Sequence, residues 1–136
     1  MFEHETKIRV LYSDTDQMGY MYYGDYAKYF EFARTEAIRS FGLTYKELEE
    51  SGVMMPVLSL NTKYIGPAKY DDVLRIKTCI KKLPGTRILF EYEVFNPEDK
   101  LITICDTTLV FVDMKTGKPV LCPEVLLTPL QSFFKH

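Results

Sequence analysis

The chain has 136 residues, enough for one domain, here residues 1–136, that buries about two thirds of its unfolded surface around a single core. Apolar residues make up 46% and charged residues 26%, which excludes an intrinsically disordered chain. A net charge of −2 offers no basic face for neutralising phosphates, so non-specific nucleic-acid binding is not expected.

In chain order, "KIRVLY" (Lys7 to Tyr12) alternates weakly and predicts a short strand. From Tyr26 to Phe41 the residues Tyr26, Phe30, Ala33, Ala37 and Phe41 recur at helical spacing, with Asp25 placed as N-cap and Gly42 as the C-terminal stop. The aromatic density of this segment predicts a helix covered on most sides. "TYKELEESG" (Thr44 to Gly52) predicts a second, short helix with its own N-cap Thr and closing Gly. An extended segment follows from Val53 to Tyr64, then a bend at "GPAKYDD". Leu74, Ile76, Thr78 and Ile80 alternate with Arg75, Lys77, Cys79 and Lys81, the period of a half-buried strand. "LPGT" (Leu83 to Thr86) turns the chain, Ile88 to Val94 returns it, and "NPEDK" (Asn96 to Lys100) turns it again into a run from Leu101 to Asp113 closed by "KTGK". One long helix and an antiparallel meander imply an α+β domain whose curved sheet wraps the helix.

The stretch with the most chemistry is "YSDTDQMGYMYYGDY", Tyr12 to Tyr26. Asp14 and Asp16 project the same way if the backbone there is extended. Three readings stand: a loop whose Asp side chains cap neighbouring N–H groups, a hard-cation site, and a catalytic carboxylate facing a helix start. Further metal ligands are not evident nearby. The third reading has a physical basis. A helix N-terminus leaves N–H groups unsatisfied and adds partial positive charge, so it polarises a carbonyl and holds a developing oxyanion. Gly24 permits close approach of a ligand or backbone, and an upstream carboxylate attacks the carbonyl carbon or activates water. An ester or thioester is the substrate class that such a pair suits.

"YSDTDQMGYMYYGDYAKYFEFAR" resembles the signature of hotdog-fold acyl-CoA thioesterases of the 4-hydroxybenzoyl-CoA thioesterase type: an aromatic residue, D-x-D, a Gly three residues on, then aromatics leading into the central helix. The likeness extends over about 120 residues, including "PVLSLNTKYIGPAKYDDVLRIKTCIKK" and the terminal "CPEVL". It implies a hotdog fold, a five-stranded curved antiparallel sheet around a long central helix, and hydrolysis of an acyl-CoA to acid and CoA. Carried over residue by residue, Asp16 is the catalytic nucleophile or general base, the main-chain N–H of Tyr23 is the oxyanion donor, Gly19 completes the motif, and Asp14 orders the loop. Many relatives have His where this chain has Tyr23; a main-chain donor survives that change. "MPV" (Met55, Pro56, Val57) resembles the segment flanking the acyl group. "PGTR" lies where relatives contact CoA, making Thr86 and Arg87 candidates, with Arg87 able to pair with a phosphate, although the same residues serve equally as a plain turn. The resemblance implies a site at a dimer interface, pairing of sheet edges, and often a homotetramer; no metal or redox cofactor is expected, CoA being part of the substrate. A non-catalytic hotdog protein binding acyl-CoA or an acyl carrier protein is the rival, opposed by the presence of both Asp16 and Gly19.

Other residues invite roles. A helix Glu does the chemistry in a distinct hotdog branch, but Glu31 sits in an "FxExAR" continuation and is read as paired with Arg34 or a neighbouring backbone. His4 and His136 lie near the ends without an evident base or metal partner, which disfavours a hydratase, and no G-x-S-x-G elbow is present. Tyr20, Tyr22, Tyr23, Tyr26, Tyr29 and Phe30 read as packing, some of them lining an acyl tunnel with Met18, Met21, Met54 and Met55. Cys79, Cys105 and Cys122 are widely spaced, and the first two fall in alternating apolar runs, so buried free thiols are expected. Those thiols, with no signal region and no run near the about 18 apolar residues of a membrane span, predict a cytoplasmic protein.

Overall fold

The computed structural model describes residues 1–134, so His136 lies outside the described residues. Five strands form one antiparallel sheet: β1 (Phe2–Arg9), β3 (Val57–Tyr64), β4 (Val73–Ile80), β5 (Arg87–Phe95) and β6 (Leu101–Val110). Their order is β1-β4-β5-β6-β3, which puts the meander in the middle and leaves β1 and β3 as edges. Two short strands, β2 (Val53–Met54) and β7 (Val112–Asp113), pair with each other. The helices are α1 (Tyr26–Arg39), α2 (Tyr45–Glu50) and α3 (Glu124–Gln131).

Alternation decides which face of the sheet is covered. In β5, Ile88, Phe90, Tyr92 and Val94 are all buried while Arg87 and Leu89 are exposed. The buried set meets α1 through Tyr26, Tyr29, Phe30, Ala33, Ala37 and Ile38. The Phe30 ring lies 4.8 Å from that of Tyr92. Ala33 and Ala37, with no bulk beyond Cβ, let the helix axis lie close to the sheet. Each fully buried large side chain here contributes about 1.5–3 kcal/mol. Ala27, Lys28, Glu31 and Phe32 are exposed, so a helix expected to be covered on most sides keeps one free side.

The remaining differences from expectation have local causes. β1 runs over residues 2–9 instead of 7–12: its register on β4 places Glu5 against Lys77 and Lys7 against Arg75, and Glu5 and Glu3 form ion pairs with Arg75 (2.8 Å) and Lys77 (3.4 Å). Its inward positions include His4 and Thr6, which hid the alternation. The extended run from 53 to 64 is cut at Met55–Pro56, where the Pro56 carbonyl accepts from Val110 N–H (3.1 Å). The run 101–113 is cut at Phe111, whose N–H goes to the Thr86 carbonyl (2.9 Å). Asp25 holds the N-cap position of α1 as expected but makes no side-chain capping hydrogen bond, because a 3-10 turn at Tyr23–Asp25 extends the helix backwards and gives Asp25 helical angles (φ −87, ψ −11). Thr44 caps α2 as expected, its Oγ1 accepting from Glu47 N–H at 3.1 Å. All three cysteines are buried free thiols.

Candidate active site

Between β1 and α1 the chain makes a compact loop. A 3-10 turn at Tyr12–Asp14 breaks the extended path, and so the two aspartates diverge instead of pointing together. Asp14 is 1% exposed and turns inward; Asp16 stays at the surface. The Asp14 carboxylate accepts from the Lys28 ammonium and from the Tyr29 hydroxyl (2.7 Å), both on the first turns of α1. Burial alone would raise its pKa, but the hydrogen bonds from Lys28 and Tyr29 outweigh that and hold it below the ordinary carboxylate value. Burial, then the hydrogen bond to Asp14, raises the pKa of Tyr29, while the Asp14 partnership raises that of Lys28. The Asp14 carbonyl also accepts from Tyr22 N–H (2.8 Å), closing the loop beside the helix start. Asp14 therefore orders the loop.

Asp16 sits in the tight turn so enclosed. Its Oδ1 accepts from Met18 N–H (2.9 Å) and more weakly from Tyr20 N–H (3.3 Å); its carbonyl accepts from Gly19 N–H (3.1 Å). Gly19 has φ +79, a left-handed conformation that L side chains rarely adopt. The carboxylate is thus fixed by one oxygen, and Oδ2 makes no hydrogen bond among the described residues. Three residues past Tyr20, Tyr23 opens the 3-10 turn that runs into α1. The N–H groups of Tyr23 and Gly24 are first-turn donors and take no part in the hydrogen bonds among the described residues. Tyr64 braces this start, its hydroxyl donating to the Tyr23 carbonyl at 3.2 Å. Gly24 is needed for its own neighbour: a Cβ there would come within 2.4 Å of the Tyr22 ring.

The other predicted residues lie at the opposite end of the sheet. Val57 begins β3 and pairs with Leu109, while Tyr64 ends it opposite Thr103. At about 3.3 Å per residue the two ends are about 23 Å apart. Met55, Pro56 and Val57 line a cavity of about 320 Å³ whose wall also includes Arg34 and Tyr45. Thr86 and Arg87 are exposed at this same end, Arg87 opposite Val110 in the β5–β6 ladder. Within one protomer, then, Asp16 and Gly19 share one turn in the loop that leads to Tyr23 at the start of α1, Met55 to Val57 and Thr86 to Arg87 share the far end, and the two groups do not meet.

Sequence reasoning missed the roles of Lys28 and Tyr29 as partners of Asp14, and of Tyr64 as the brace; nothing in their spacing signals them. Glu31 and Arg34 form no ion pair among the described residues: Glu31 faces solvent and Arg34 is buried, although the Glu31 carbonyl does accept from the Thr35 hydroxyl (2.7 Å). Tyr26, Tyr29, Phe30 and Met21 are core, whereas Met18, Tyr22 and Tyr23 are exposed. His4 lies in β1 opposite Thr78.

The thioesterase-like superfamily model matches residues 10–130. Acyl-CoA thioester hydrolase YbgC of Escherichia coli O157:H7 is 32% identical over 120 residues, covering 88% of this chain and 90% of that protein. A crystal structure of a DHNA-CoA thioesterase from Staphylococcus aureus superposes with TM-score 0.88 at 31% identity, covering 98% of this chain and 89% of the other. A 4-hydroxybenzoyl-CoA thioesterase structure, at 24% identity and TM-score 0.82 over 93% of this chain and 97% of its own, shares the hotdog fold. With 121 consecutive residues matched and a five-stranded sheet wrapped on α1, the chain belongs to the thioesterase-like superfamily.

Proposed function

We propose that the chain hydrolyses an acyl-CoA thioester to the free acid and CoA, with Asp16 as nucleophile or general base and the Tyr23 N–H as oxyanion donor. The observation that supports this assignment of roles is the loop closure at Asp14–Tyr22, which ties the loop that holds Asp16 to the start of α1, where the Tyr23 and Gly24 N–H groups are unused. An oxygen of Asp16, or a water it deprotonates, attacks the thioester carbon. The carbonyl oxygen gains charge against the Tyr23 N–H and the positive end of α1. The C–S bond then breaks, and CoA leaves as a thiolate that takes up a proton. An acyl-aspartyl anhydride, if formed, is cleaved by water. The reaction requires no metal or redox cofactor.

On one protomer this site is open surface, with Tyr23 63% exposed. A second copy supplies the missing wall. The edge strand β3 is eight residues long and exposes Val57, Leu58, Leu60 and Tyr64, an unpaired apolar edge of the kind that recruits another strand. Antiparallel two-fold pairing of β3 with its copy sets Tyr64, and with it Tyr23 and Asp16, beside Val57 of the partner subunit. The Met55–Val57 cavity and the Thr86–Arg87 turn, at opposite ends of each protomer from Asp16, then join it across the interface. The resemblance extends this homodimer to a homotetramer and admits an acyl carrier protein as an alternative thioester donor. Three buried thiols support a cytoplasmic setting; no helix among the described residues is long and apolar enough to cross a membrane.

The rival reading, a non-catalytic binder, is favoured by one observation: Asp16 Oδ1 is occupied by its own loop. Thiol release from short-chain, long-chain and aromatic acyl-CoAs separates the two. Catalysis by Asp16 predicts release that falls by about 100-fold or more in Asp16→Asn; no release from any substrate would leave the binder.

A further inference from the structure

Arg34 is 7% exposed on the inner side of α1, beside the hydroxyls of Tyr45 and Tyr92. No carboxylate lies within ion-pairing distance of it among the described residues. Its Nε–H and the Tyr45 hydroxyl are both buried without a well-formed hydrogen bond. Removing donors from water without giving them acceptors is costly, and a guanidinium left so is costlier than an amide. Both residues line the 320 Å³ cavity that also holds Met54, Met55 and Val57. That volume lies at the low end of small-ligand pockets. The wall is apolar except for these donors and two carboxylates, Glu31 and Glu49.

We infer that this cavity selects acyl groups whose far end carries a neutral oxygen acceptor, a hydroxyl or carbonyl, received by Arg34 and Tyr45. The inference rests on the thioesterase reading above, in which the cavity takes the acyl group. Apolar walls accept the carbon chain, and an oxygen arriving beside Arg34 Nε–H and the Tyr45 hydroxyl gives them the well-formed hydrogen bond they lack. Two carboxylates against one guanidinium leave the cavity with a negative balance, so an acyl group ending in a second carboxylate is disfavoured relative to a neutral one. Arg34 and Tyr45 are specificity residues here; neither touches the scissile bond.

The test is a ratio of kcat/KM within matched pairs: 6-hydroxyhexanoyl-CoA against hexanoyl-CoA and 4-hydroxybenzoyl-CoA against benzoyl-CoA, with adipoyl-CoA as the charged comparison. The native protein is expected to favour the hydroxylated member by about tenfold or more, chiefly in KM, because a plain acyl end strands the donors. Arg34→Met, which keeps the stem's bulk, and Tyr45→Phe, which removes one oxygen, bring the ratio toward parity while turnover of the plain acyl-CoA persists. A ratio taken within one variant is insensitive to the fraction of protein correctly folded. Hydrolysis of both members without preference overturns the inference, as does a preference that neither variant alters, or adipoyl-CoA as the best substrate. Absence of hydrolysis of every acyl-CoA instead removes the thioesterase reading, and the inference with it.

Discussion

Asp14 and Asp16 stand two residues apart and do opposite work, because a single 3-10 turn sends one into the protein and leaves the other outside. Asp14 is an ionised group that the fold uses. Its folded pKa lies below the 3.8 of the free side chain, so its stabilising effect is fully present above that value and is lost as pH falls through the folded one. Melting temperature followed from pH 6 down into the acid range should therefore drop below about pH 4, and Asp14→Asn should melt lower at neutral pH with a visibly shallower acid decline. An unchanged decline would remove Asp14 from that role. Lys28 and Tyr29 were invisible as its partners in the sequence, because fourteen and fifteen residues of chain separate them from it. The roles proposed for Asp16 and Gly19 come only from the resemblance: a bare D-x-D fits a loop or a cation as well as a catalytic turn.

At the scale of elements, periodicity was a good guide wherever one face is cleanly apolar. α1 and the strands β4 and β5 carry such faces, and their positions were legible to within a few residues. β1 was misplaced because charged and polar residues occupy both faces and its pairing with β4 is reinforced by ion pairs, which leave no periodic trace. α3 was missed as a helix, since Pro129 lies inside it and Pro123 stands at its start; burial of Leu126 and Leu130 secures it regardless. Thr44 does what its position promised, and Thr44→Ala should cost about 1 kcal/mol in chemical denaturation with little change in turnover. The Gly24→Ala change acts differently. Its new Cβ collides with the Tyr22 ring, not with backbone, so that ring must swing away from the start of α1. Activity should fall more than stability does, and Tyr22→Ala in the same chain should recover part of the loss; additive losses in the double variant would refute the collision.

For the whole molecule the decisive element is β3, an edge strand of eight residues with leucines facing out. Leu58→Asp with Leu60→Asp places like charges close to the proposed two-fold axis, where opposed residues across an antiparallel pair repel. Light scattering should then report a monomer with an intact circular dichroism spectrum, and thioester hydrolysis should fall with the loss of dimer. Full activity in a verified monomer would defeat the shared site. Edge pairing was implied by the resemblance alone, and the residues behind Met55 that complete the cavity, Arg34 and Tyr45 among them, were not legible in the sequence, since they depend on which side chains fold beneath α1.

The division of these residues between the two ends of β3 has a genetic corollary. If each centre draws its Asp16 from one subunit and its Arg34 pocket from the other, two differently damaged chains can repair one another. Mixing and refolding Asp16→Asn with a chain whose cavity is blocked, such as Val57→Trp, would produce hybrids in which one centre receives both lesions and the other neither. Activity would emerge from two inactive parents, and it would fade on dilution as the hybrids come apart.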